Sequence, residues 1–338
     1  MQYINASNIH RGGGAKLLKS ILELNFKDKA LVYVDARFSF KSLKIGTNIK
    51  IKLIEPTLLS RFFVEWNIAK LTKKNDYLLC FGNLPPLFKN KAYTSLFLQN
   101  RFLVEDIKLY GFSFSQKIRI FIERIWIRFF INRAQKILVQ SSSMKFLVQR
   151  QFKKLNVEIT PFYQASGFKF SKTKKRTNNK NYFLYVATGE PHKNHVTLIE
   201  AWIILSKEKI FPELLLTLDH RKDSKLISKI EFLKFKYKLK IKNLGFVENM
   251  DVIYKNARAL IYPSTLESFG LPLIEASFYK LPIIASELDF VRDITDPIES
   301  FNPYSAISIA RALKRFLHVQ KNSIELVDAY LFIEAQKN

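Results

Sequence analysis

Two glutamates eight residues apart enclose the segment with the clearest chemical signal in the sequence. Glu267 and Glu275 flank the residues Ser-Phe-Gly-Leu-Pro-Leu-Ile, and the apolar run Ala259–Tyr262 precedes them. This order predicts a buried strand, a turn at Gly270 and a helix that begins near Leu271. Backbone N–H groups at a helix start suit an anion such as a diphosphate, and a nearby carboxylate can accept hydrogen bonds from sugar or ribose hydroxyl groups. The segment is therefore predicted to bind a phosphorylated ligand that carries hydroxyl groups.

A lysine on a loop is a second candidate for the same chemistry. Lys193 lies in the segment Tyr185–Asn194, between an apolar run and the helix-like stretch Leu198–Ala201. A cation there would neutralise the charge that builds on a departing phosphate group. A loop lysine in a lysine-rich chain is usually solvated, so its position alone does not separate a functional lysine from a surface one.

Three consecutive glycines, Gly12–Gly14, follow the first predicted strand. Glycine lets the backbone approach a phosphate or a sugar closely, and Arg11 beside the glycines could reach a phosphate. The segment lacks the Gly-Lys-Ser/Thr ending of a P-loop and the spacing of a dinucleotide-binding fingerprint. A ligand-binding loop and a plain turn both fit the three glycines.

The segment around the two glutamates resembles the E-x7-E motif of the large retaining glycosyltransferase family 4. The string Ser-Thr-Leu-Glu-Ser-Phe-Gly-Leu-Pro-Leu-Ile-Glu-Ala behind an apolar strand is much more specific than the spacing of two glutamates. The segment Tyr185–Asn194 is similar to the strand, loop and helix that open the family's carboxy-terminal domain, with Lys193 at the position of the diphosphate-binding lysine. Many members carry an arginine five residues earlier, where this sequence has Thr188. The resemblance is clearest over residues 182–290.

The resemblance implies an α/β protein with a GT-B fold, in which two Rossmann-like domains face one another across a cleft. It implies transfer of a sugar from a nucleotide-diphosphate sugar with retention of anomeric configuration. No metal and no cofactor other than this sugar donor are expected. The expected acceptor is a glycan or a lipid-linked molecule, as in the assembly of lipopolysaccharide or capsule.

The resemblance also assigns roles to residues. Glu275 would hold the ribose hydroxyl groups and Glu267 those of the donor sugar, while the loop Gly245–Asn249 corresponds to the loop that holds the nucleobase. Asn100 stands where many relatives have a cleft-facing histidine, and its amide cannot act as a base near neutral pH. The predicted catalytic residues are Glu267 and Lys193. The predicted donor-binding residues are Glu275, Gly270, Phe269, Leu271, Thr188, Val247, Gly13 and Gly14. The predicted acceptor-side or cleft residues are Arg11 and Asn100.

Short apolar runs alternate with helical stretches along the chain, which indicates parallel α/β sheets. The polar stretch Ser171–Asn181 interrupts the alternation, which restarts at Tyr182. We therefore predict one domain over residues 1–165, a linker over 166–181 and a second domain over 182–338. By the resemblance, the first domain binds the acceptor, the second binds the nucleotide sugar, and the final helix packs back on the first.

The charge of the chain is strongly positive and unevenly distributed. The net charge is +26; residues 1–165 have 28 basic and 10 acidic residues (+18), and residues 166–338 have 27 and 19 (+8). Such a field attracts nucleic acid, an anionic membrane face or a phosphorylated substrate. A lysine-rich composition with a solvated surface would give the same count.

Several features concern the location of the protein. The amino terminus is polar, no uncharged run approaches 18 residues, and the single cysteine, Cys80, excludes an internal disulfide framework. The segment Ser115–Arg133 is the most membrane-like, and a partly buried domain helix and a membrane-surface helix are both consistent with it. We expect a cytoplasmic protein that is peripheral on the inner face of the cell membrane.

Three other functions stay open. A nucleotide-sugar epimerase on the same fold would need catalytic carboxylates and histidines across the cleft. A nucleic-acid-binding protein would explain the charge, but the chain lacks a recognisable reading motif, so we expect no nucleic-acid partner. A non-catalytic GT-B protein would explain Thr188 and Asn100. The histidines have no metal-ligand spacing, and His192 and His195 are expected to be polar surface groups.

Overall fold

The computed structural model describes residues 1–41, 43–107, 109, 111–162, 182–247 and 250–319, which form two parallel β-sheets covered by helices. The first sheet contains β1 (Gln2–Ala6), β2 (Ala30–Asp35), β3 (Ile49–Ile54), β4 (Tyr77–Cys80), β5 (Tyr93–Phe97), β6 (Lys136–Val139) and β7 (Val157–Ile159). The second contains β8 (Tyr182–Tyr185), β9 (Glu213–Leu216), β10 (Ile241–Asn243), β11 (Ala257–Tyr262), β12 (Ile283–Ser286) and β13 (Glu299–Phe301). The helices are α1 (Gly12–Leu22), α2 (Leu58–Leu71), α3 (Phe114–Phe130), α4 (Ser142–Gln151), α5 (His195–Lys207), α6 (Ser224–Tyr237), α7 (Asp251–Asn256), α8 (Leu271–Phe278), α9 (Asp289–Arg292) and α10 (Ala306–Phe316).

The first sheet has the strand order β3-β2-β1-β4-β5-β6-β7, with every neighbouring pair parallel. Along β1, Ile4 faces the side where Leu17 and Leu18 of α1 are buried. The preceding Tyr3 faces the other side, where Val64 of α2 and Ile127 of α3 are buried. The alternation of strand side chains thus fills two apolar layers, with α1 on one face and α2, α3 and α4 on the other.

The second sheet has the order β10-β9-β8-β11-β12-β13, again with parallel pairs. Its strands read as continuous apolar runs because helices cover both faces. Phe183 of β8 contacts Trp202 of α5 and Phe316 of α10, with ring centroids 6.0 and 5.8 Å apart. Both strand orders reverse direction beside the first strand of the sheet, where ligands of such sheets bind.

The α/β class predicted from the sequence is confirmed. The strand expected at 97–100 is displaced, because β5 is Tyr93–Phe97. The predicted strands also omit β3, β7 and β13. All three lie at sheet edges, where a strand has one hydrogen-bonded neighbour and is often short or charged. β3 alternates isoleucine with lysine, and β7 and β13 have three residues each. Helix α1 begins at Gly12, so the three glycines form its first turn and not a loop before it. The predicted linker and the predicted final helix lie largely outside the described residues.

Candidate active site

Helices from the two sheets begin next to each other. Helix α8 begins after Gly270, whose φ of +69° lies in the left-handed region that favours glycine. Helix α1 begins at Gly12, and a side chain at Gly13 would come within 3.2 Å of Leu271 Cδ1. Leu271 packs against the apolar cluster of the first sheet. The starts of α1 and α8 therefore meet where the carboxyl edges of the two sheets face each other.

Glu267 and Lys193, the two residues predicted to be catalytic, form an ion pair. Lys193 Nζ lies 2.6 Å from Glu267 Oε1, and the Tyr262 hydroxyl donates to the same oxygen at 2.9 Å. The two side chains are only 17% and 12% exposed. Burial raises the pKa of Glu267, but the charge of Lys193 and the two hydrogen bonds outweigh burial and hold that pKa below its ordinary value. The carboxylate is therefore ionised at neutral pH.

Contacts between loops place Lys193 beside the glutamate, although the two are 74 residues apart in the chain. Asn194 has a left-handed backbone (φ 61°), and its amide donates to the carbonyl oxygen of Pro263 at 3.1 Å. The N–H of Thr265 donates to the carbonyl oxygen of His192 at 2.8 Å. The loop after β8 is thereby fixed to the loop after β11.

Glu275, in the second turn of α8, is 1% exposed and holds two partners. The hydroxyl of the buried Tyr254 donates to Glu275 Oε2 at 2.7 Å. Lys16 Nζ, from α1, donates to Oε1 at 2.7 Å. Because Lys16 belongs to the first sheet's layers, this ion pair connects the two halves of the chain across their junction.

Comparison with known proteins shows which family the second half of the chain resembles. Residues 168–329 match the family model of glycosyl transferases group 1. Over these residues, the chain is therefore similar to the group 1 glycosyltransferases. It is 27% identical over 245 residues to the O-antigen chain mannosyltransferase RfbU of Salmonella typhimurium, an alignment that covers 70% of this chain and 66% of that protein. It is 31% identical over 119 residues to the O-antigen chain mannosyltransferase B of Escherichia coli, which covers 34% of this chain and 31% of that protein. The chain thus spans less than two thirds of the length of these curated relatives.

Solved structures support a GT-B fold for this chain. The structure of Anabaena HepE in complex with UDP and glucose superposes with a TM-score of 0.68 at 14% identity and covers 94% of this chain and 89% of HepE. The lipopolysaccharide outer core galactosyltransferase WaaB in its apo form gives a TM-score of 0.63 at 16% identity and covers 95% of this chain and 91% of WaaB. The two-sheet architecture predicted from the resemblance is therefore confirmed.

The predicted site residues divide into two sets. The structure brings together Lys193, Glu267, Glu275 and the start of α8 with Phe269, Gly270 and Leu271, which faces Gly13. The other predicted residues have local contacts of their own. Gly14 is in the first turn of α1, where an added side chain would meet Ile9 and Gln99. Arg11 is exposed directly before α1.

Three further predicted residues have contacts in their own loops. Thr188 is exposed, and its hydroxyl donates to the carboxylate of Glu190. Val247 is half-buried in the loop after β10, and the residues that follow it in that loop, 248 and 249, lie outside the described part of the chain. Asn100 accepts a hydrogen bond from the N–H of Phe102 at 3.1 Å and so caps a short 3-10 turn. Its side-chain oxygen is thus used to hold the first domain's own loop.

Lys16 and Gln99 were not predicted from the sequence. Lys16 follows Gly12 by one helical turn, so a helix that begins at the glycines places both on one face. The Gln99 side-chain oxygen would lie 3.7 Å from a side chain at Gly14, which places Gln99, and not the neighbouring Asn100, against the start of α1. Taking the glycines as part of the helix would have identified Lys16; no local pattern distinguishes Gln99.

A cluster of cations surrounds the fully buried Asp35 at the carboxyl edge of the first sheet. Arg37 donates to both carboxylate oxygens of Asp35, at 2.8 and 2.7 Å, and Arg61 Nη2 lies 3.5 Å from the carboxylate. Burial raises the pKa of Asp35, but hydrogen bonds and charge from Arg37 lower it overall. Burial, together with the charge of Arg37, lowers the pKa of the adjacent His10. With Arg11 nearby, this basic cluster has three arginines and one carboxylate, which leaves two positive charges in excess.

The prediction that His192 and His195 are polar surface groups is wrong. His195 is 3% exposed, its pKa is lowered to about 3 chiefly by burial, and its ring packs on Tyr185 at 4.8 Å. Burial lowers the pKa of His192 to about 4, and its ring stacks on Phe112 of the first domain at 6.2 Å. Both are neutral packing residues near neutral pH, because the loop after β8 is folded into the junction and not into solvent.

The described residues contain no group of three or more His, Cys, Asp and Glu side chains placed to hold a metal ion. Within the same ranges, no helix combines the length and apolar character needed to cross a membrane.

Proposed function

We propose that this chain is a group 1 glycosyltransferase that transfers a hexose from a nucleoside-diphosphate sugar to a glycan or lipid-linked acceptor, with retention of configuration, as a member of family 4. The observation that carries the proposal is the Lys193–Glu267 ion pair beside the start of α8, with Glu275 one turn further along the helix. This arrangement offers a cation and a helix start for a diphosphate, and two carboxylates for hydroxyl groups.

Each residue has a distinct part in the proposed reaction. Lys193 exchanges its contact with Glu267 for the donor diphosphate and neutralises the charge that develops as the bond between the sugar and the phosphate breaks. Glu267 then accepts hydrogen bonds from hydroxyl groups of the sugar. Glu275 accepts from the ribose hydroxyl groups at Oε1, the oxygen that Lys16 occupies in this structure. We assign no protein nucleophile.

The relatives support a hexose donor and a polysaccharide product. RfbU and mannosyltransferase B are named for mannosyl transfer to O-antigen chains, and HepE was solved with UDP and glucose. We propose by analogy a role in surface polysaccharide assembly. The analogy does not choose the nucleobase, because the loop after β10 extends into residues outside the described ranges.

The basic cluster around Asp35 supports an acceptor that carries phosphate. Arg11 and Arg37 lie in the loops after β1 and β2, and Arg61 lies in the first turn of α2, which follows β3. Because these three strands are adjacent, all three side chains lie at the edge that faces the second domain. Arg61 Nε and His10 Nδ1 are buried and have no hydrogen-bond partner among the described residues. Two excess positive charges would match the two negative charges of a diphosphate linker. We therefore place the enzyme at the inner face of the cell membrane, where a lipid-linked acceptor would be presented.

The donor site can be tested by thermal unfolding in the presence of UDP, GDP, ADP, CMP and their sugars. One nucleotide at about 100 times its Kd should stabilise the protein by about 2.7 kcal/mol. Glu275→Gln should reduce this stabilisation, and Glu231→Gln, an exposed glutamate on α6, should leave it unchanged. The nucleotide sugar should then lose its sugar only when a lipid-linked acceptor is present.

Other outcomes would replace the proposal with one of its rivals. Release of an epimer without any acceptor would identify an epimerase. Donor binding without turnover on any acceptor would identify a non-catalytic GT-B protein. Salt-sensitive binding of polynucleotide without any nucleotide effect would identify a nucleic-acid-binding protein.

A further inference from the structure

The outer face of α2 is apolar where a surface helix is ordinarily polar. Val64 and Ile68 face the core, while Leu58, Leu59, Phe62, Phe63 and Trp66 on the opposite side are all exposed, Leu58 by 85%. Single exposed apolar residues are common, but five along one helix face form a continuous patch that needs a partner.

The outer face of helix α3 is likewise apolar. Ile120 and Ile127 face the core, and the charged side chains between them also turn toward the protein: Arg124 donates to the carbonyl oxygens of Phe102 and Glu105 at 2.8 and 2.7 Å. The residues left on the outside are apolar and recur at helical spacing. They are Phe114, Ile118, Phe121, Ile122, Ile125 and Phe129.

The two apolar helix faces lie on the same side of the molecule and are joined by the segment Pro85–Phe88. Phe88 contacts Phe62 and Trp66 of α2, with ring centroids 5.3 and 6.5 Å apart. The indole N–H of Trp126 on α3 donates to the carbonyl oxygen of Pro85 at 2.8 Å. A shallow apolar cavity of about 270 Å³ opens beside this junction, lined by Phe62, Trp66, Phe88, Ala69 and Lys70. We call the exposed side of the two helices and this segment the α2–α3 face.

Both acidic residues of the two helices have partners within the protein, while four of their six cations stay exposed. Their acidic residues are Glu65 and Glu123: Glu65 accepts hydrogen bonds from Asn5 and from the N–H of Leu87, and Glu123 is half-buried beside Arg119. The cations Lys70, Lys117, Arg119 and Arg128 remain exposed around the apolar residues. Long basic side chains at the rim of an apolar surface can reach lipid headgroups while their stems lie on the apolar surface.

We propose that the α2–α3 face is a docking surface for an anionic phospholipid bilayer. Aromatic and aliphatic side chains would enter the headgroup region, and the surrounding cations would contact lipid phosphates. A second copy of the chain fits this face less well, because the two opposed faces would each bring exposed cations and a domain of charge +18.

The position of the face relative to the site agrees with a lipid partner. Leu58 and Phe114 are the most exposed apolar residues of α2 and α3, at 85% and 79%, and both stand at the helix starts. These starts follow the carboxyl ends of β3 and β5, the sheet edge that also carries the basic cluster. A bilayer bound to the α2–α3 face would therefore lie beside the opening between the domains. This docking goes beyond the proposed function, since it does not depend on which sugar is transferred.

The test is sedimentation of the full chain with vesicles of phosphatidylcholine, with and without 30% phosphatidylglycerol (about that fraction suffices for a negative surface potential). The test variant is Phe63→Ser/Phe121→Ser, and the matched control is Phe232→Ser/Phe235→Ser, which removes two exposed phenylalanines from α6 of the second domain. The wild type and the control should bind the anionic vesicles, and the test variant should bind them about 100-fold more weakly, about tenfold for each phenylalanine. Binding of all three should weaken at high salt.

Three results would overturn the docking surface. The wild type could fail to bind anionic vesicles, or the test variant could bind as well as the control. The wild type could also be a dimer that the test variant converts to monomers, in which case the face is a subunit interface. Thermal unfolding with nucleotide on the same variants separates this proposal from the proposed function, because both substituted sites lie outside the Lys193–Glu267 region and donor binding should be unchanged.

Discussion

At the scale of single residues, the Lys193–Glu267 pair has a structural role in the fold and, in the proposed function, a chemical one. Each side chain is less than one fifth exposed. Each charge therefore offsets the desolvation cost of burying the other. The same proximity places the cation where a donor diphosphate would leave. Substitution of either residue should therefore change stability and turnover together, and the two effects can be separated by pH.

Lys193→Met should lower kcat/KM for sugar transfer by about 100-fold, because it removes the cation that neutralises the leaving group. It should also destabilise the fold at pH 7 by about 3 kcal/mol, since it leaves a largely buried carboxylate unpaired. Urea unfolding checks the second effect.

The pH dependence follows from the lowered pKa of Glu267. A carboxyl group with a lowered pKa adds stability above its unfolded pKa and loses it as the pH falls through the folded pKa. The stability difference between the wild type and Lys193→Met should therefore shrink on acidification from pH 7 to 4. Lys234→Met, at an exposed pair on α6, should show no such difference; an equal loss at all pH values would contradict the assignment.

Glu65 on α2 should change the pH dependence of stability in the direction opposite to Glu267. Burial raises its pKa to about 7 despite hydrogen bonds from Leu87 and Asn5. A raised pKa favours the protonated folded state, so this contribution to stability is complete below pH 4.5 and is lost as the pH rises through 7. Between these values the wild type should lose stability relative to Glu65→Gln, on the order of 3 kcal/mol. Parallel stability curves for the two proteins would show that Glu65 titrates normally.

At the scale of elements, the starts of α1 and α8 explain why glycines stand at both sites. Gly270 has a left-handed backbone, and an added side chain would also lie 3.0 Å from Leu273. Gly13 has an ordinary backbone, but an added side chain would press on Leu271 of the other domain. The two glycines thus serve different needs, one local and one between domains.

Gly270→Ala should therefore destabilise the fold by about 1 to 2 kcal/mol, the cost of a left-handed residue with a side chain. Gly13→Ala should have a smaller effect on unfolding and should mainly weaken donor binding, because it separates the helix starts that flank the diphosphate. Urea unfolding and nucleotide titration of both variants check this contrast. Equal effects of the two substitutions on stability would contradict it.

At the scale of the whole molecule, a few polar contacts connect the two domains. Lys16 of α1 pairs with Glu275 of α8, and the N–H of Ser143 donates to Asp293 at 2.9 Å. Leu271 and His192 add apolar and aromatic contacts across the same junction. Contacts between domains of one chain commonly permit relative motion of the domains. The Lys16 pair is of particular interest because its glutamate is the proposed ribose ligand.

Lys16→Gln should open the cleft in the absence of a donor. Without the cation, the nearly buried carboxylate of Glu275 retains Tyr254 as a partner and gains hydration by exposure. The radius of gyration from X-ray scattering should increase and should return toward the wild-type value on addition of the nucleotide. Lys19→Gln, on the same helix, is the control. An unchanged radius with unchanged nucleotide affinity would show that Lys16 does not hold the domains together.

The sequence by itself determined the local structure around the predicted site residues of the second domain. The segment from Glu267 to Glu275 and the loop of Lys193 are local patterns, in which strand, turn and helix start follow one another along the chain. Most interior strands could also be predicted, because burial on both faces makes them continuously apolar. The interior strand β5 was displaced, since Thr94 and Ser95 interrupt its apolar run. Edge strands such as β3 could not be predicted in this way, because their lysines face solvent and interrupt the apolar run.

The tertiary structure alone decided which distant residues meet and which helix face is buried. The contact between Lys16 and Glu275, the cations around Asp35 and the burial of His195 depend on how loops from separate strands converge at the sheet edges. For α3, periodicity shows which residues share a face, but it does not show which face meets the core. Only packing revealed that Arg124 turns inward and Phe121 outward, because the free energy of burial depends on the neighbouring elements and not on the helix alone.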